Sequence, residues 1–167
     1  MIALPNYADI NGRPMKKLQI QQYLRKLQLN DFEPAVNLTT LTKLQDAHLK
    51  YIPYENFDSL NGKITSLKRQ DMFNKVIMHN RGGICFELNG LYNWLLESLG
   101  FDVTSYSARF IDKMETYQLR RHRVMCVALG EKRYLTDVGV NSESPRVPLE
   151  ITEGLIQSDG ISQYKFT

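Results

Sequence analysis

Apolar residues recur every three or four positions through the first hundred residues and then begin to alternate, so the chain predicts helices first and strands afterwards. The strongest helical pattern runs from Cys85 to Leu99, with Leu88, Leu91, Leu95 and Leu99 on one face and Trp94 and Leu96 beside them. Gly100 follows where a helix end wants a residue free to take positive φ. Upstream, Pro14 to Leu29 carries Leu18, Leu24 and Leu27 between basic and amide residues, and proline is tolerated in a first turn. A second helix is expected to be capped by Thr39 or Thr40 and to run to Leu49, with Leu41, Leu44 and His48 inward. Pro53 forces Ile52 into extended geometry and ends it. After the Asn61-Gly62 turn, Ser66 is placed to cap a third helix to His79, with Leu67, Met72 or Phe73, Val76 and Ile77 inward, and Arg81-Gly82-Gly83 stops it.

Beyond Gly100, Phe101 to Phe110 alternates in part, and His122 to Leu129 is the clearest strand. Gly130-Glu131 reads as the tight turn of a hairpin whose second strand spans Lys132 to Val140. Ile111 to Arg121 and Asn141 to Pro148 read as loops, and two short strands are expected around Ser158-Asp159-Gly160. The prediction is an α+β protein: a helical bundle over residues 1–100, then an antiparallel, barrel-like β domain over 101–167, incomplete as a barrel.

Composition narrows the class only modestly. A chain of 167 residues suits one domain or two small subdomains sharing a core, and its net charge of +3 is too mild to argue for nucleic acid. Two cysteines make no disulfide framework and fit a reducing compartment. Met1 to Ile10 lacks the pattern of a signal peptide, and no apolar run is long enough to span a bilayer, so a cytoplasmic protein is expected.

The chemistry concentrates at Arg81 to Asn89, R-G-G-I-C-F-E-L-N. It places Cys85 at a helix N-terminus, where the helix dipole and free N–H groups favour thiolate, the form that acts as a nucleophile. The glycines before it read as a sharp backbone turn that leaves the thiol uncovered. The alternative is a buried helix-start cysteine without chemistry. A nucleophilic thiol needs a base, and the base an orienting group. Of the three histidines, His48 lies on an apolar helix face and reads as core, and His79 ends a helix and reads as a cap. His122 opens a strand, and Asp137 lies near the end of the next one, so a tight turn would bring the two side by side. The same residues are also compatible with unrelated strand-end positions.

R-G-G-I-C-F-E-L-N, the H-R-V-M-C-V-A-L strand at His122 and Y-L-T-D-V-G at Tyr134 to Gly139 together resemble the arylamine N-acetyltransferase family, and Ile52 to Phe57 resembles a fourth family segment. The resemblance runs to about Pro148. It implies a helical bundle followed by a β-barrel, with a papain-like triad of Cys85 as nucleophile, His122 as base and Asp137 as orienter. The implied reaction is ping-pong: Cys85 takes acetyl from acetyl-CoA and passes it to an arylamine, arylhydrazine or hydroxylamine, with no metal. It further implies an ion pair of Arg81 with Glu55 bracing the loop before Cys85, and Tyr54 beside the acceptor pocket. Gln118, Leu119, Arg120 and Arg121 fall in the segment that approaches CoA in such proteins, and Arg120, Arg121 and Arg123 are candidates for its phosphates. Cys126, mid-strand among apolar residues, is expected to be inert core.

The chain departs from the family at two places. Val140 stands where an aromatic usually follows D-V-G, which puts acceptor choice in question, and Asn141 replaces a glycine-like turn. The chain is also expected to lack the usual third, lid-forming domain, which predicts weaker acetyl-CoA binding and more hydrolysis of the acetyl-cysteine. Two other classes therefore compete: a catalytically poor truncated paralogue that serves as a binding or assembly module, oligomerising through an open barrel edge, and a peptidase or amidase using the same three residues.

Overall fold

The computed structural model describes residues 2–3, 13–111, 119–140 and 144–167. A short strand β1 (Ile2–Ala3) precedes helices α1 (Lys17–Lys26), α2 (Leu38–Tyr51), α3 (Phe57–Leu60) and α4 (Arg69–Phe73), the last continuing into a π-helix (Asn74–Met78). Helix α5 (Cys85–Ser98) leads into strands β2 (Asp102–Ala108), β3 (His122–Leu129), β4 (Lys132–Thr136) and β5 (Leu149–Glu150), and then β6 (Ile156–Ser158) and β7 (Gln163–Lys165). Helices precede the main sheet as the periodicity predicts, except for β1.

The helix ends differ from expectation in instructive ways. Asn37, not Thr39 or Thr40, caps α2: its side chain accepts from the Thr40 N–H at 2.8 Å, and Thr40 is buried one turn in. Ser66 does not start the third helix, which begins at Arg69; its hydroxyl instead donates to Asp71 at 2.6 Å. Ile52 is extended at φ −123°, as the following proline requires. Helix α5 is more than amphipathic. Apart from Phe86, residues 85–96 are all buried, because α5 has helices on one side and the sheet on the other. Its polar residues Glu87, Asn89 and Asn93 are buried with hydrogen-bond partners, which offset the loss of water around them.

The main sheet is antiparallel in the order β1-β2-β3-β4-β5, and β6 pairs with β7 in a separate hairpin. Among the described residues it does not close. The expected barrel is instead an open, five-stranded sheet with β1 and β5 at its edges, since β5 pairs over two residues only and β6 turns to β7. The β3–β4 register sets Leu129 opposite Lys132 across a turn in which Gly130 takes φ +61°. Met125 and Val127 enter the core shared with Leu88, Leu91, Leu95 and Tyr92, while His122, Val124 and Cys126 point to the other face of β3. No described helix is long and apolar enough to cross a membrane.

Candidate active site

Cys85 is the first residue of α5, buried, with its thiol 3.5 Å from the backbone carbonyl of Arg121. The two glycines before it have a different job from the one read in the sequence. Neither has positive φ. A Cβ at Gly82 would run into the carbonyl of Pro53, and one at Gly83 would stand 2.9 Å from a Glu87 carboxylate oxygen. They allow close approach: Gly83 bridges to Tyr54 in parallel fashion and its carbonyl accepts from Glu55 N–H at 3.1 Å. The segment 52–57 is thereby docked against the loop that carries Cys85.

The hairpin does what the spacing predicts. His122 opens β3, Asp137 directly follows β4, and His122 Nε2 meets Asp137 Oδ2 at 2.6 Å. Cys85 lies near enough to the same imidazole to favour its protonated form. Burial pushes the His122 pKa down, but the hydrogen bonds and charges of Asp137 and Cys85 outweigh it and raise the pKa to about 9. Sequence reasoning missed what holds Asp137 still. Its Oδ1 accepts from Asn89 Nδ2 at 2.8 Å and from Gly139 N–H at 2.8 Å. Asn89 also donates to the Arg123 carbonyl and accepts from Val138 N–H at 2.9 Å. Asn89 sits four residues after Cys85 on the same helix face, and that spacing was the available signal.

A cleft of about 470 Å³ opens over these residues, lined by Tyr54, Cys85, Phe110, Arg121, His122, Gly139 and Val140. Phe110, also missed, lies over the imidazole with ring centroids 5.0 Å apart. Gly139 admits no side chain, since a Cβ there would come within 2.9 Å of Cys85 Cα. Val140 is half-buried at the rim. Leu119 and Arg120 are exposed and not among the described lining residues, and Gln118 lies outside the described residues. Arg123 departs from the phosphate reading: it is buried, and its Nε and Nη2 donate to Ser105 Oγ at 3.2 and 2.8 Å on the core side of β3. Cys126 is buried, and burial raises its thiol pKa.

The brace expected around the loop is present and larger than expected. Arg81 meets Glu55 at 2.8 Å and Asp58 at 2.9 Å, and Lys75 joins Asp58 at 3.0 Å and Glu87 at 2.9 Å. Arg81 and Lys75 hold the Asp58 carboxyl at about 2, well below the usual range. Burial works against the charge on Lys75, but its hydrogen bonds to Glu87 and Asp58 prevail and raise its pKa.

The profile of the N-acetyltransferase family matches residues 37–167. The chain belongs to the arylamine N-acetyltransferase family. It is 34% identical over 151 residues to an arylamine N-acetyltransferase of Mycolicibacterium smegmatis, covering 87% of this chain and 54% of that one. It is 33% identical over 132 residues to that of Escherichia coli (strain K12), covering 78% and 47%. The solved arylamine N-acetyltransferase of Salmonella typhimurium superposes with a TM-score of 0.79 at 29% identity, over 86% of this chain and 52% of that one. The chain thus spans about half the length of these arylamine N-acetyltransferases.

Proposed function

We propose that the chain acts as an acetyl-CoA:arylamine N-acetyltransferase in which Cys85, His122 and Asp137 are the catalytic residues. The reading rests above all on one observation, a buried imidazole bonded to the Asp137 carboxylate that lines an open cleft together with Cys85. With its pKa raised to about 9, His122 carries a proton at neutral pH, and in the proposed reaction it lies beside Cys85, which acts as the thiolate nucleophile. The thiolate attacks the acetyl carbonyl of acetyl-CoA, the carbon–sulfur bond to CoA breaks, and the departing CoA thiolate takes the proton of His122. The neutral imidazole then accepts the proton of an arylamine, arylhydrazine or hydroxylamine as its nitrogen or oxygen attacks the acetyl-cysteine. Cys85 leaves as thiolate, and the starting ion pair is restored. Arylamines are weak bases, so the attacking nitrogen is unprotonated at neutral pH. The N–H of Cys85 lies in the first turn of α5, where backbone donors lack helical partners, and it is the candidate donor to the tetrahedral oxyanion.

Tyr54, Phe110 and Val140 would contact the acceptor, and among the described residues 119–121 Arg121 lines the cleft and would lie nearest CoA. Incubation with acetyl-CoA followed by peptide mass spectrometry tests the assignment. The expected result is one acetyl group on Cys85, discharged by an arylamine. An unmodified Cys85, or an arylamine acetylated by Cys85→Ala, would overturn it.

A further inference from the structure

We propose that Lys75 is a positioning residue for Cys85: its ammonium neutralises Glu87 at the start of α5, so that this helix end remains able to stabilise negative charge on the thiol. The inference deepens the reading of Cys85 as a nucleophile, but its test does not depend on acetyl transfer. Glu87 reaches back over the first turn of α5, where its Oε2 accepts from Ile84 N–H at 2.9 Å. This bond fixes the helix start, yet it sets a carboxylate, 3% exposed, within one turn of Cys85. Left alone, that charge would cancel the positive end of the helix, which is what favours a thiolate there. Lys75 Nζ lies 2.9 and 3.1 Å from the two Glu87 oxygens and removes the conflict.

The surroundings show that Lys75 is held for this contact. It sits in the π-helix, a wider turn often associated with functional positions, and its carbonyl accepts from Arg81 N–H at 3.1 Å, six residues on. Its other charged neighbours are Asp58 at 3.0 Å and Glu55 at 3.6 Å, both also held by Arg81. Without Lys75, Arg81 would be left to Glu55 and Asp58, and Glu87 would lose the cation it is paired with. On the far side, the groups facing Cys85 are His122, Asp137 behind it, Tyr54 and Arg121, which lines the same cleft. Gly83 leaves room for the Glu87 carboxylate to lie against the backbone, since a Cβ there would stand 2.9 Å from its Oε2.

The test is the pH dependence of Cys85 alkylation by iodoacetamide, followed by peptide mass spectrometry to keep Cys126 apart. Lys75→Met should move the midpoint of the alkylation profile up by about half to one pH unit, slowing the reaction roughly three- to tenfold below the midpoint. Lys75→Arg should behave as the wild type. Glu87→Gln should move the midpoint the other way or leave it in place, and should return the Lys75→Met profile towards wild type when combined with it. If Lys75→Met lowers thermal stability without moving the profile, the lysine is only a brace and the proposal is wrong. Should Lys75→Met fail to fold, Glu87→Gln alone decides: an upward shift overturns the proposal. If the profile shifts while Cys85 never takes an acetyl group, the electrostatic inference stands and the acetyltransferase reading falls.

Discussion

His48 and His122 are both fully or nearly fully buried, 0% and 4% exposed, and they have opposite chemistry. His48 lies on α2 between the rings of Tyr23 and Tyr92, at centroid distances of 6.1 and 5.4 Å. Neither of its ring nitrogens has a hydrogen-bond partner among the described residues, and burial lowers its pKa to about 3. For His122, burial also pulls the pKa down, but the Asp137 carboxylate at its Nε2 and the nearby Cys85 outweigh it and raise the pKa to about 9. The lesson is that burial removes charge from an imidazole unless the fold supplies partners, and only the partnered histidine is equipped to move a proton.

The most severe way to break the contrast is to make His122 resemble His48. Asp137→Asn keeps the shape but removes the charge; by analogy with such changes elsewhere, acetyl transfer should fall by about 10³- to 10⁴-fold. The His122 titration midpoint, read by NMR, should drop from about 9 towards or below its ordinary value. An Asp137→Asn variant that retains both the rate and the midpoint would show that Asp137 is not the group charging His122.

A second change sharpens the other half. His48→Leu removes two unpartnered ring nitrogens and should stabilise the protein by about 1–3 kcal/mol in urea unfolding, with acetyl transfer unchanged. The two histidines also give opposite pH slopes. The folded-state pKa of His48 is depressed, so the unfolded chain binds the extra proton and stability falls as pH drops from about 6.5 towards 3, by at most about 1.4 kcal/mol per pH unit. The folded-state pKa of His122 is raised, so its contribution is complete below about 6.5 and is lost as pH rises through about 9. His48→Leu should therefore flatten the acid limb alone and His122→Gln the alkaline limb alone, measured as urea midpoints at pH 5, 7 and 9. The smallest expected effect is at the rim. Val140→Phe should change kcat/KM between bulky and small arylamines by roughly tenfold while leaving the rate of Cys85 acetylation by acetyl-CoA in place.

Much of this arrangement was legible in the residues. Leu88, Leu91 and Leu95 marked α5, and Gly130-Glu131 between two apolar runs marked the hairpin that sets His122 beside Asp137. Arg81 and Glu55 were paired from the family resemblance, and they meet. What escaped was whatever depends on contacts far apart in the chain. Gly82 and Gly83 read as a sharp turn that leaves the thiol uncovered, because nothing in their neighbourhood announces that the Pro53 carbonyl and Glu87 will press on them. Arg123 read as a surface cation because a strand pattern does not say which face meets Ser105. Lys75 carried no signal at all, since only the π turn brings it to Glu87. Sheet closure failed for a similar reason: short strands at regular spacing do not reveal that β6 will pair with β7 instead of extending the sheet.

Gly139 and Val140 are neighbours with very different freedom. No side chain fits at 139 against Cys85, whereas Val140 stands half-buried at the edge of the cleft. The consequence is a separation of tasks between two adjacent positions. If the proposed function holds, mutation at 140 would reshape which amine is received while the parts that load the thiol stay untouched, so acceptor range could change without loss of the acetylated intermediate. Anyone building libraries in this chain should randomise at 140 and hold 139 constant.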